Sequence, residues 1–167
     1  HFSDYLIALI FLPFIARKVG VVELGMIGFS QTFGVFLTLF LEFGSSLIGV
    51  REVSIIKNNK KKIITLLGDV VTSKLLLVPF GILFSFFAIR IIPVFSEKPN
   101  YIIITMIGAI FQGLSPSWVF HGLEKMKSIA LSKIFLRLSG FIIIIIFVKT
   151  PNDPWIVLTS YALTSFA

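Results

Sequence analysis

The stretch SIALSKIFLRLSGFIIIIIFV, residues 128–148, decides how this chain folds. Its run Ile142 to Ile146 is β-branched throughout and would suit a buried strand in a soluble protein. Yet the stretch shows no period-two alternation and far exceeds the roughly 4–8 residues of such a strand. At about 1.5 Å rise per residue, some 20 apolar residues cross the roughly 30 Å hydrocarbon core of a bilayer, and in lipid only helices or closed barrels satisfy the backbone. A spanning helix is therefore predicted, with two cations, Lys133 and Arg137, inside it where a bilayer disfavours charge.

The same pattern extends outward. Tyr5 to Ala16 is apolar and ends at Arg17-Lys18; Leu24 to Val50 carries one charge, Glu42. The break from Arg51 to Lys62 holds five Lys/Arg. Ile63 to Lys74 mixes apolar residues with Asp69 and Lys74 and is expected to lie at the interface, ahead of a span from Leu75 to Phe95 with Arg90 near its far end. Tyr101 to Phe120 is free of charge, and Trp155 to Ala167 opens another apolar run after the turn Lys149 to Pro154. Pro13, Pro79 and Pro116 fall inside apolar runs and are expected to kink helices.

These segments predict an all-α polytopic transmembrane helix bundle. About six spans are expected, near residues 1–16, 24–50, 70–95, 101–120, 128–148 and 155–167, in a single transmembrane domain. The chain enters and leaves within apolar segments, so it is expected to be a piece of a longer protein.

Composition agrees. Of 167 residues, 56% are hydrophobic and mean hydropathy is +1.00, above the roughly 45–50% apolar content of soluble domains. The net charge of +7 sits in the breaks, a pattern of membrane topology rather than of a nucleic-acid-binding face. The breaks at 51–62 and 121–127 carry seven Lys/Arg; Arg17, Lys18, Lys98 and Lys149 on the other side make four. The positive-inside rule places the richer side in the cytoplasm. Cysteine is absent, which excludes disulfides and thiolate chemistry.

Arg137 lies nine residues beyond Ser128, roughly 14 Å along the helix. Were the span to begin after Arg137, only 11 residues would remain before Lys149. Lys133 and Arg137 share a helix face at i and i+4, and each costs at least about 2.5 kcal/mol in hydrocarbon on insertion scales. An anionic ligand would offset that cost; so would snorkelling by Lys133 and an acid on a neighbouring helix for Arg137. Glu42 is open to three readings: neutralising Arg137, taking up a coupling proton or cation, or structural hydrogen bonding. Arg90 either snorkels to the outer face or guards a cavity mouth. His121 has no second ligand at metal spacing, and no Gly-rich phosphate loop, nucleophile elbow or carboxylate pair occurs. No enzyme chemistry, cofactor or metal is expected.

Three landmarks carry a family resemblance. Pro13 to Gly20 followed by Glu23-Leu24-Gly25, then Glu42 to Ser46 with Arg51 to Ser54, then Ser117 to Lys127 resemble, in order and at matching spacing, polysaccharide flippases of the O-antigen exporter type. The resemblance covers essentially the whole chain, as the first six spans of a protein with about twice as many. It implies the two-lobed fold shared with multidrug exporters and lipid II flippases, this chain forming most of one lobe around a central cavity. It also implies the activity: moving an undecaprenyl-diphosphate-linked oligosaccharide from the cytoplasmic to the periplasmic face of a bacterial inner membrane. Arg17, Arg90, Lys133 and Arg137 are then candidate cavity cations for the diphosphate, with Glu42 for charge pairing or ion coupling. Implied partners are the lipid-linked oligosaccharide, membrane lipids, and a polysaccharide polymerase with its chain-length regulator. A drug or cation exporter of the same fold would favour acidic cavity residues. A membrane-embedded polymerase would need a large catalytic loop, and no break here exceeds about a dozen residues. A structural subunit would pair its buried charges with a partner chain.

Overall fold

A computed structural model describes residues 13–124, 126–148 and 154–164, the side chains of 126–130 excepted. The described residues form helices joined by short breaks. They are α1 (residues 13–19), α2 (Val21–Glu42), α3 (Ser45–Ile56), α4 (Lys60–Ile91), α5 (Pro93–Glu97), α6 (Pro99–Leu114), α7 (Ser117–Gly122), α8 (Met126–Phe147) and α9 (Pro154–Thr164). The protein is an all-α membrane helix bundle. Among the described residues, Val21–Glu42, Lys60–Ile91 and Pro99–Gly122 are long and apolar enough to cross a bilayer.

Proline sets several of the boundaries. A residue before proline is driven out of the α region, and Ile92 (ψ 116°) and Ser115 (ψ 132°) are both extended there. Pro93 and Pro99 then open α5 and α6 at the first helical position, where a missing N–H costs nothing. Pro79 is the exception: α4 continues through it. Several hydroxyls inside the helices bond back one turn, as in Ser30 to the Met26 carbonyl, Thr38 to Gly34 and Ser85 to Gly81, so these need no water.

Three helix boundaries differ from the sequence expectation. The stretch 24–50 is two helices, because Phe43 (φ 39°) and Gly44 (φ 74°) take the left-handed conformation and end α2. Residues 63–74 are no separate interfacial helix but part of the 32-residue α4. Its start is fixed by Asn59, whose side chain accepts from the Lys62 N–H. The stretch 101–120 is likewise divided, at Ser115-Pro116.

Helix α6 lies at the centre, packed against α2, α4 and α9, with α8 on the far side of α9. Small residues permit the close approaches, the rule where lipid offers no hydrophobic drive. A Cβ on Gly34 would stand 2.6 Å from Thr105 Cγ2 across the α2–α6 contact, and one on Gly140 would stand 2.6 Å from Thr164 Cγ2 between α8 and α9. Three apolar clusters fill the interior. One joins Ile15, Val19, Ile27, Tyr101, Ile144 and Val157; a second joins Phe33, Leu37, Ala88, Phe95 and Ile102; the third, beyond the breaks, is Val53, Trp118 and Val119. Phe80, Phe84, Phe86 and Phe87 stay exposed along α4, as suits a lipid-facing side but not one in water.

Candidate functional site

Lys74 is the most deeply buried charge described, at 2% exposure. It lies 14 residues into α4, roughly 21 Å from the start of that helix by its rise. Its Nζ donates to the Gly113 carbonyl at 2.7 Å. Gly113 is in the last turn of α6, where carbonyls lack an intrahelical partner and carry the negative end of the helix dipole. A continuous helix would supply the Ser117 N–H to that oxygen, but the extended Ser115 removes it, and the ammonium takes its place. Leu41 packs on Gly113, its Cβ 3.0 Å from where a side chain would begin, so the end of α2 meets the same point. Glu42, the last residue of α2, acts on Lys74 by charge. Two helix C-termini and a carboxylate therefore surround one buried ammonium.

The sequence reading expects Lys74 at the membrane interface; the fold shows its side chain buried between α4 and α6. The sequence reading opens the apolar stretch at Leu75 within a span of about 70–95, and neither bound shows what buries Lys74; the Asn59 cap was the signal that puts residue 74 well inside a helix.

The four cations singled out in the sequence fall into two groups. Arg17 is exposed in the last turn of α1, and Arg90 is exposed in the last turn of α4, its guanidinium 5.6 Å from the Phe86 ring centroid. Both sit at the end of the bundle where α2 and α6 begin. Lys133 and Arg137 lie along α8, both exposed on the bundle. Arg137 is 11 residues from Met126, roughly 17 Å along a 22-residue helix, and its charge reaches Tyr161 of α9, which lies beside Gln31 of α2. The polar surface of Gln31, Arg137 and Tyr161 thus draws on three helices.

A further cluster went unread in the sequence. The Glu23 carboxylate in the first turn of α2 pairs with Lys98, and accepts a hydrogen bond from the Tyr101 hydroxyl at 2.7 Å. Tyr101 is 4% exposed, and the Lys98 ammonium also lies 5.4 Å from its ring centroid. An acid favours a helix N-terminus, so this cluster ties the start of α2 to the start of α6. Neither spacing nor charge pattern links residues 23, 98 and 101 before the fold is known. Among the described residues, no group of His, Asp and Glu side chains is placed to hold a metal ion.

A family profile described as "Polysaccharide biosynthesis protein" matches residues 1–167. The chain is similar to a protein of Escherichia coli (strain K12) named "Putative O-antigen transporter", with 30% identity over 152 residues, 90% of this chain and 36% of that protein. It is similar as well to a Shigella dysenteriae protein of the same name, with 26% identity over 153 residues, 92% of this chain and 38% of the relative. The chain thus spans little more than a third of the length of these curated relatives. No solved structure matches it.

Proposed function

Because the chain belongs to the polysaccharide biosynthesis protein family, we infer that it is part of a multi-pass transporter of the bacterial inner membrane, one that flips an undecaprenyl-diphosphate-linked oligosaccharide. The repeat unit would be destined for O-antigen or capsule, and the protein would act as a transporter rather than an enzyme. A polysaccharide polymerase and its chain-length regulator would take up the product. The observation that carries the reading is Arg137, a cation deep along α8 beside Tyr161 and Gln31, in a chain similar to proteins named for O-antigen transport.

The chemistry is consistent. A lipid diphosphate concentrates negative charge that cannot cross hydrocarbon, while its prenyl tail stays in lipid. A guanidinium offers paired donors to phosphate oxygens, and such charge-assisted bonds are about twice as strong as neutral ones. Lys133, one turn earlier, extends the same positive face. Arg17 and Arg90, at the outer end, would receive the head group as the lobes exchange access.

The test is complementation by the full-length protein of a strain lacking its own transporter, scoring surface polysaccharide. Arg137→Ala combined with Arg17→Ala should reduce export by about tenfold or more, since each charged hydrogen bond lost is worth about 1.5–3 kcal/mol and 1.4 kcal/mol is tenfold. Normal export by that double variant, at wild-type protein level, would refute the cation-based reading.

A further inference from the structure

We propose that Lys74 is a positioning residue, a latch that holds the end of α6 open and so sets the angle of a small hinged unit, α3 with α7, at the basic end of the bundle.

The unit is defined by its packing. Helices α3 and α7 close on each other through glycine: a Cβ on Gly49 would stand 2.4 Å from Trp118 Cε3, and one on Gly122 would stand 2.7 Å from Val53 Cβ. Val53, Trp118 and Val119 form their own buried cluster, separate from those around α2 and α6. Two adjacent breaks join this pair to α2 and α6, Phe43-Gly44 and Ser115-Pro116, while Ile63, Leu66, Leu67 and Val70 of α4 pack directly on it. Both breaks change direction through backbone conformations a helix does not use.

Lys74 stands between these breaks. Without its bond, the Gly113 carbonyl is a buried acceptor with no partner, a costly state in a membrane. The donor a continuous helix would supply is the Ser117 N–H, and pairing with it draws α7 back toward the axis of α6. Pro116 disfavours that pairing, because its ring crowds the Gln112 carbonyl and the helical form of Ser115, but does not forbid it: α4 continues through Pro79. The ammonium therefore competes with helix continuity for one oxygen. The neighbouring Gln112 carbonyl is already used by the Ser115 N–H at 3.1 Å, so Gly113 is where the competition falls. Glu42 and the end of α2 compensate the lysine charge and join the two breaks into one device.

That this hinged unit gates access from the cytoplasm rests on the transport reading above; the latch itself does not. Its test is a distance in the full-length protein, reconstituted in lipid vesicles with spin labels at Phe36→Cys on α2 and Phe120→Cys on α7, both exposed. Lys74→Met should shift the mean distance by on the order of 5 Å, the rise of one helical turn. Lys74→Arg, which keeps a charged donor, should leave it within the wild-type distribution. Pro116→Ala with Lys74 intact should also leave it unchanged, because the lysine still holds the oxygen; adding Lys74→Met should shift it. An unchanged distance in Lys74→Met overturns the latch. So does a shift in Pro116→Ala alone, and that arm decides the matter even if Lys74→Met fails to insert. Failure of the Arg137 and Arg17 export test would leave these distances as they are, so the two readings fall separately.

Discussion

Trp118 is 3% exposed and covers Gly49, where a methyl group would stand within 3 Å of three ring carbons. An indole packed between α3, α7 and α4 has no room to retreat, so Gly49→Ala should destabilise the full-length protein by about 1–3 kcal/mol, the usual cost of overpacking. Thermal unfolding in detergent reads this directly. In a Trp118→Leu background the same change should cost much less, and the difference is the coupling between the two sites. Equal cost in both backgrounds would mean that the ring is not what the methyl meets. Legibility at this scale followed contrast. Lys133, Arg137 and Glu42 stand out as lone charges in apolar runs. Lys74 does not, because it sits where a charged stretch passes into an apolar one. Its hydrogen-bond partner, Gly113, arrives from another helix. The Glu23–Lys98–Tyr101 cluster is hidden for the same reason.

Among the elements, the helices were legible and several of their ends were not. Length and hydropathy identify an apolar run, yet 27 residues from Leu24 to Val50 suit one tilted span as well as a broken one. What divides it is α7, which offers Trp118 and Gly122 to α3 and makes a bend at Phe43-Gly44 favourable. The local signal was Gly44-Ser45-Ser46, a turn sequence inside an apolar run. Two glycines of one region should then respond with opposite sign. Gly44 has φ 74°, where a Cβ costs roughly 1–2 kcal/mol, so Gly44→Ala should lower the unfolding temperature. Gly25 is helical in α2 with open space around it, and Gly25→Ala should raise the temperature by removing backbone entropy worth roughly 0.5–1 kcal/mol. If Gly44→Ala were neutral or stabilising, the α2–α3 break would not require the left-handed turn.

For the whole molecule the open variable is direction. Helix α4 is 32 residues long, roughly 48 Å, and carries the chain from the break at Asn58 to the turn near Asn100. That length exceeds a bilayer core of roughly 30 Å, so the two ends must face opposite compartments if the helix crosses. Five Lys/Arg from Arg51 to Lys62 lie at the first end, and the Glu23–Lys98 pair at the second. Short basic loops resist translocation, so Asn58 should face the cytoplasm and Asn100 the periplasm. No cysteine occurs in these 167 residues, and both asparagines are exposed, so each accepts a reporter thiol once any cysteine elsewhere in the full-length protein is replaced. In intact spheroplasts a membrane-impermeant maleimide should label Asn100→Cys of the full-length protein and spare Asn58→Cys until the cells are permeabilised. Equal labelling of both before permeabilisation would mean that α4 does not cross. The reverse pattern would set Lys74 and the α3–α7 unit on the periplasmic side. Arg17 and Arg90 would then meet the diphosphate first, and would have to admit substrate where they are proposed to receive it after crossing.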